Sequence, residues 1–495
     1  MTDVAARLAR TGMSDVEVAG KVELYRRCAA ALAGLTDGAM ADPPQRGDAP
    51  SDRGARGLLR ERDAVRSRAR SGPLLPDLAR DAHDNRDERL PLAFFVPGRI
   101  EVLGKHTDYA GGRSLLCAVE RGFVVLARPR GDARIRAVDV VRGETREVSL
   151  HSSAEVDDGD WATYLSTVVR RIARDFPTAR RGMDLVFASD LPAASGMSSS
   201  SALVIGVFFA LSAVNRLEDD LVHREHITSR EALAEYLGAV ENGRPFGPMA
   251  GGLGVGTLGG SQDQTAILCC EAGRLSGFAF CPVRPEGTMP FPADRVFVLA
   301  YSGVAAEKTA SAKVRYNEAS LAVVEILSLW NAATGRGDLS LGDAVVSSPD
   351  APEQIRATLR TAHTAGFTTQ RLLDRFAQFV DEAYDIIPRA ADAFARGDLA
   401  EAGRQVLRSQ RGVELLLGNQ IPETIALTRI ARELGADAAS AFGAGFGGSV
   451  WALVAADGAQ DFAARWLAAY RREHPTAADR AEMIVTRPGP GAMQI

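Results

Sequence analysis

The chain divides by the texture of its hydrophobic positions. Residues 1–90 are polar and rich in Arg and Asp. Within them VELYRRCAAALAGL (22–35) repeats its apolar residues at helical spacing. DGAMADPPQRGDAPSDRGARG (37–57) is crowded with Gly, Pro and Asp. Such a stretch has too little apolar surface to offset the entropy of ordering it, so loop or disorder is expected. From residue 93 the pattern changes to strands. AFFVPGRIEVLG and SLLCAVERGFVVLARPR flank a polar bend, GKHTDYAGG (104–112). DWATYLSTVVRRIARDF (160–176) sets Trp161, Leu165, Val168, Val169, Ile172 and Phe176 on one helical face. MDLVFASDLP (183–192) reads as a strand, and SALVIGVFFALSAVN (201–215) and SREALAEYLGAVEN (229–242) as helices. DRVFVLAYSG (294–303) opens a further half in which helical segments dominate from 306 to 434. SVWALVAA (449–456), QDFAARWLAAYRRE (460–473) and EMIVTRPGPGAM then read as strand, helix and strand.

Strands and helices interleave in both halves, which predicts an α/β or α+β protein. The chain has 495 residues, more than one hydrophobic core usually serves. The expected division is an extension over 1–90, partly helical and partly disordered, a domain over 91–290 and another over 291–495.

Composition narrows the function classes. Net charge is −5, so no global basic field draws nucleic acid or an anionic membrane. No stretch reaches the roughly 18 apolar residues a membrane helix needs. The acid-bearing start MTDVAARLARTGMSD lacks the apolar core of a signal peptide. Five cysteines, an odd count without a CxxC pair, argue against a disulfide framework or a structural zinc site. A cytoplasmic monomer acting on small molecules is the expectation.

Three stretches carry candidate chemistry. LPAASGMSSSSAL (191–203) passes from a strand through small residues into an apolar helix. A helix N-terminus exposes unpaired N–H groups and the positive end of its dipole, which suits phosphate. A serine-rich N-cap is an equally good account of these residues alone. GSQDQ (260–264) holds Asp263, able to accept a proton or to sit as a solvated turn carboxylate. SAFGAGFGGSVWALV (440–454) bends at Gly443, Gly445, Gly447 and Gly448, and by itself reads as a tight turn. GLGVGTLG (252–259) matches GxGxxG but has no β-branched strand before it, so a dinucleotide site is rejected.

Taken together these stretches resemble the GHMP small-molecule kinases. PGRIEVLGKHTDYAGG (97–112) is similar to the galactokinase motif PGRVNLIGEHTDYNGG. The serine loop resembles PLGGGLSSSA, VEN with SQDQ resembles EN…MDQ, DWATYLSTVV resembles WANYVKGVI, and FGAGFGGSV resembles GGGFGG. The carboxyl end, IVTRPGPGA, is similar as well. The resemblance spans residues 93–495. It implies a two-lobed α/β sandwich of α+β class, the GHMP kinase fold, with the active site between the lobes. It also implies ATP and Mg²⁺ as cofactors, and transfer of a phosphoryl group to the anomeric hydroxyl of a sugar. Residue by residue, it implies Asp263 as proton acceptor and Arg99 as its cationic partner. His106 and Asp108 would bind sugar, with Lys105 beside them. Ser195, Gly196, Ser198, Ser199, Ser200 and Ser201 would bind ATP phosphate, and Ser199 and Glu241 Mg²⁺. A sugar sensor without turnover is the non-catalytic alternative within the same resemblance.

The chain departs from the motifs in three places. Lys105 stands where galactokinases carry glutamate, which admits another sugar, such as an arabinose, a heptose or an acidic sugar. The tyrosine of the family's SEYPVRR has no match in TASAKVRYNEA (309–319), where Ala312 or Lys313 falls in register and Tyr316 is displaced. A Gly-rich insert (247–260) stretches the spacing between Glu241 and Asp263 and is expected to act as a mobile flap.

Overall fold

The computed structural model describes residues 2–35, 91–151, 161–192, 195–305 and 310–495. The loop expected over 37–57 and most of the extension therefore lie outside the described residues. So do Ala193 and Ala194 of the serine loop.

Two helices open the chain, α1 (Thr2–Arg10) and α2 (Asp15–Gly34). Strands β1 (Leu92–Leu103), β2 (Arg113–Pro129), β3 (Arg134–Asp139) and β4 (Glu144–Ser149) follow, then α3 (Ala162–Asp175) and β5 (Met183–Ser189). Next come α4 (Ser199–Asn215), α5 (Leu221–His226), α6 (Arg230–Asn242) and α7 (Gln262–Cys269). Strands β6 (Arg274–Ala279), β7 (Arg284–Pro290) and β8 (Arg295–Tyr301) lead to a helical block. It comprises α8 (Ala310–Thr334), α9 (Leu341–Val346), α10 (Ala351–Thr361), α11 (Thr369–Val380), α12 (Ile387–Ala395), α13 (Leu399–Gly412) and α14 (Pro422–Glu433). The chain finishes with β9 (Ala438–Ala441), β10 (Ser449–Ala455), α15 (Ala459–Glu473), α16 (Pro475–Ala478), β11 (Glu482–Thr486) and β12 (Met493–Gln494).

One sheet runs β12-β1-β2-β5-β3-β4, with β6 and β7 extending from the far half of β2. The other runs β11-β8-β10-β9 and is antiparallel throughout. Both sheets feed one core, in which Phe94, Val96 and Val125 meet α3 and α4, and Phe297, Trp451 and Leu453 meet the helical block. The last strand crosses back to the first sheet, pairing Phe94 with Gln494. The opposite face of the first sheet is also apolar, and the α1–α2 hairpin covers it. Leu8, Met13, Leu24, Cys28 and Leu32 pack on Phe95, Val124, Leu126 and Val186. Lys21 is fully buried under this hairpin and bridges Glu17 (2.7 Å) and Asp190 (2.5 Å). The helix expected over 22–35 is thus the second half of α2, and α1 was not legible.

Candidate active site

Strand β1 contains Pro97 and Gly98, and its pairing with β2 shifts register between Pro97 and Arg99. A bulge of this kind re-aims the side chains that follow it. Gly98 has a second reason to lack a side chain. A Cβ there would meet Leu191 Cδ2 at 2.8 Å and Met197 O at 3.0 Å, so glycine eases the close approach of the serine loop to β1. Arg99 then reaches both motifs. Its Nε and Nη2 each donate to Asp263 Oδ1 at 2.8 Å, and Nη1 donates to Gly196 O at 2.6 Å.

The bend after β1 is held by the helical block. Arg375, Gln378 and Glu382 lie on one helical face, the last of them in a π-helical turn, Asp381–Ile386, that continues α11. Glu382 Oε1 accepts the N–H groups of Gly104 (2.8 Å) and Lys105 (3.3 Å). Gln378 donates to Lys105 O at 3.1 Å and Arg375 to His106 O at 2.5 Å. Gln262 Nε2 donates to Gly104 O (2.8 Å) and Ser114 Oγ (2.7 Å). Most polar groups of the bend are therefore committed to protein. This fixes His106 in the left-handed region at φ 57°, where non-glycine residues are uncommon.

Between the bend, α7, α6 and the glycine turn after β9 lies a cleft. Arg99, Glu101, His106, Asp108, Ser201 and Glu241 line it, with Asp263, Gln264 and Tyr316. Ser201 Oγ donates to Glu241 Oε2 at 2.7 Å and lies 3.5 Å from Asp263 Oδ2. Gln264 Nε2 donates to the same Glu241 oxygen at 2.6 Å. Asp263, Ser201 and Glu241 thus form one connected array. Asp108 Oδ2 accepts the N–H of Gln262 at 3.0 Å at the start of α7. Burial pushes the Asp108 carboxyl above the usual range, the N–H groups of Gln262 and Tyr109 pull it down, and Asp263 pushes it up.

His106 joins the bend to the glycine turn. Its Nε2 is 3.3 Å from Ala444 O, which can only accept, so Nε2 carries the proton. Nδ1 then accepts from Tyr109 Oη at 2.9 Å. Burial first and the Arg375 cation second hold the imidazole down to about 3, so it is neutral. Tyr316 packs its ring 5.1 Å from that of His106.

The serine loop ends in Ser198, left-handed at φ 60°, where α4 begins. Ser198 Oγ is buried without a hydrogen-bond partner among the described residues. Ser195 is tied at both ends, its Oγ donating to Pro192 O (2.9 Å) and its O accepting from Ser449 Oγ (2.7 Å). Ser199 and Ser200 are half-buried in the first turn of α4.

Six expected residues meet at the cleft wall: Arg99, His106, Asp108, Ser201, Glu241 and Asp263. Two expectations need correction. Lys105 is not part of the wall, because its ammonium turns inward to Glu101 Oε1 at 3.2 Å with the side chain 1% exposed. The serine beside Glu241 is Ser201 rather than Ser199. Two residues on a helix differ by about 200° in direction, so the two cannot both face Glu241. Glu101, Asn242, Gln262, Gln264 and Tyr316 were not foreseen at the cleft. The alternation Arg99-Ile100-Glu101-Val102 was the available signal for Glu101, since period two puts residues 99 and 101 on one face. The Gly-rich insert is tied down rather than free. Asn242 accepts from Gly259 N (2.9 Å) and Thr257 Oγ1 (3.0 Å), and Asn317 accepts from Leu258 N (2.9 Å).

Three family models match the chain. They are the galactokinase galactose-binding signature over residues 82–129, the GHMP kinases N terminal domain over 163–250 and the GHMP kinases C terminal over 390–472. The galactokinase of Chloroflexus aurantiacus is 28% identical over 381 residues, covering 76% of this chain and 87% of that protein. The galactokinase of a Roseiflexus species is 26% identical over 404 residues, covering 81% and 92%. The crystal structure of Lactococcus lactis galactokinase complexed with galactose has the same fold. Its TM-score is 0.67 at 24% identity, over 83% of this chain and 96% of that one. The three models cover the bulged strand with its bend, the serine loop with α6, and the glycine turn after β9, and these matches identify the chain as a galactokinase-like GHMP phosphotransferase.

Proposed function

We propose that the protein transfers the γ-phosphoryl group of ATP to the C1 hydroxyl of galactose. The observation that carries this reading is the Arg99–Asp263 pair at the cleft wall, with Ser201 and Glu241 hydrogen-bonded beside it. Asp263 Oδ1 accepts from Arg99, and Oδ2 lies 3.5 Å from Ser201 Oγ. The C1 oxygen attacks the γ-phosphorus and its proton passes to Asp263. The bond from the γ-phosphorus to the bridging oxygen breaks, and ADP leaves with the electron pair. Such transfer depends on positioning and charge neutralisation more than on covalent chemistry. Arg99 holds Asp263 in place and ties it to the serine loop through Gly196 O. The N-terminus of α4, with Ser198, Ser199 and Ser200, is suited to the triphosphate.

The residues also fit Mg²⁺. A hydroxyl and a carboxylate, Ser201 and Glu241, offer hard oxygen ligands 2.7 Å apart. No cluster of three or more His, Cys, Asp or Glu suited to a metal occurs among the described residues. A cation held by one carboxylate, one hydroxyl and substrate phosphates is the usual arrangement for Mg²⁺. When bound it supplies positive charge to the phosphates.

The acidic-sugar alternative rested on Lys105, which faces Glu101 instead of the cleft. A panel of galactose, arabinose, a heptose and galacturonate with ATP tests the reading. Galactose should be turned over best, and turnover no better than the others would refute it. Asp263→Ala should abolish ADP formation and leave ATP binding intact. ADP formation at the wild-type rate would remove Asp263 as proton acceptor and leave the sugar assignment standing.

A further inference from the structure

Glu101 and Lys105 form a buried ion pair at the foot of the cleft that the catalytic array does not use. Their side chains are 3% and 1% exposed and their charged atoms 3.2 Å apart. Neither Glu101 Oε1 nor Lys105 Nζ makes an aligned hydrogen bond to any described group. Oε1 is sealed and turned to Lys105, so a ligand in the cleft would meet the carboxylate through its other oxygen, Oε2. Only the acid of the pair reaches the cleft, where it lines the wall with Arg99, Asp108 and Gln262.

Position along β1 says which part of a ligand Glu101 would meet. Arg99 and Glu101 are two residues apart on one strand and both line the cleft. Two residues of strand advance by about 6.6 Å, roughly one hexose ring with its hydroxyls. Arg99 marks the reacting end because it holds Asp263. Glu101 therefore stands at the opposite end of a sugar whose C1 oxygen is at Asp263.

We propose that Glu101, held by Lys105 from behind, accepts a hydrogen bond from a sugar hydroxyl remote from C1, and that this carboxylate selects neutral sugars against anionic ones. This rests on the kinase reading above and sharpens it. The acceptor that the family motif carries at the position of Lys105 is supplied four residues earlier, and the lysine has become its counter-ion. A carboxylate in the wall repels a uronic acid or sugar phosphate and leaves a hydroxyl donor as the matching group. Burial, the largest influence, raises the Glu101 pKa, while Lys105 and Arg99 oppose it.

The test compares wild type, Glu101→Gln and Glu101→Ala, with thermal melts to establish folding. Steady-state kinetics are measured on galactose and its 2-, 3-, 4- and 6-deoxy analogues, with galactose- and galacturonate-induced melting shifts alongside. A hydrogen bond to a charged group corresponds to about 10–100-fold. Glu101→Ala should raise KM for galactose by that order while changing kcat less, and Glu101→Gln should fall between. One deoxy analogue, the one lacking the partner hydroxyl, should show nearly the same KM on wild type and Glu101→Ala. Equal penalties on every analogue, or a galactose KM within twofold of wild type in both folded variants, would overturn the proposal. If wild type turns over a different neutral sugar best, the galactose reading fails and the series is read on that sugar's deoxy analogues. Preferential turnover of, or stabilisation by, galacturonate would overturn both.

Discussion

His106 offers a direct reading of how dry and how positively charged the cleft wall is. Burial and Arg375 hold its pKa down to about 3 against an ordinary 6.5. That difference corresponds to about 5 kcal/mol between the two protonation states. At pH 5 about 1% of native molecules would carry the imidazolium, against about 97% for a free histidine. The sign follows from proton uptake. The native state refuses the proton and the unfolded chain accepts it, so this contribution to stability is complete above pH 6.5. It is lost as pH falls from 6.5 toward 3, and by pH 5 about 2 kcal/mol is gone. The assay is ¹³C NMR of ring-labelled histidine, the His106 signal being the one absent from His106→Gln. The chain has seven histidines, few enough to resolve. The signal should stay at the neutral-imidazole position between pH 8 and 5 while exposed histidines titrate. A His106 midpoint near 6.5 would refute the neutral ring and the directed chain from Tyr109 through His106 to Ala444.

The two serines can be told apart by metal dependence. Ser201→Ala removes one donor to Glu241, leaving that of Gln264, and should raise the Mg²⁺ concentration for half-maximal turnover severalfold, more than Ser199→Ala does; equal shifts would return the role to the loop as a whole. Lys21→Met leaves Glu17 and Asp190 facing each other across the hairpin. Because both acids are partly exposed, the loss should be about 2–4 kcal/mol, at or below the range for breaking a buried pair. It should appear as a lower urea midpoint and faster proteolysis within residues 2–35, and unchanged proteolysis would mean apolar packing alone seats the hairpin. Tyr316→Ala should open the cleft beside His106 and raise KM for sugar, with kcat less affected; an unchanged KM would place Tyr316 outside the sugar's reach.

The fold class and the central elements were legible because long periodic segments decide them. SALVIGVFFALSAVN could only be a buried helix, and DRVFVLAY only a buried strand. Short polar strands were not legible. Arg134–Asp139 and Glu144–Ser149 alternate charged and apolar residues weakly; β3 is placed by its parallel pairing with β5, and β4 by its pairing with β3. Within the site, residue type was legible and direction was not. Four consecutive serines give no hint of which faces Glu241, because helix phase is set by the packing of α4 on β1 and β2. Lys105 looked like a ligand contact because a bend's sequence does not say which side chains turn inward. Tyr316 looked out of register because α8 presents it to the cleft by helical phase.

The hairpin over the first sheet has a consequence in time. Its floor includes Phe95, Val124 and Val186, and the patch is completed by Met493 and Ile495, with Ile495 N bonded to Ala93 O at 2.9 Å. Helices α1 and α2 leave the ribosome before any of that floor exists, and the last tile arrives only after nearly all the sequence has been read. Contacts so far apart in the chain close slowly. Until that floor is built the hairpin's apolar face has no partner, and the patch is closed only when Met493 and Ile495 join it. Seating of the α1–α2 hairpin is thus a late event in folding.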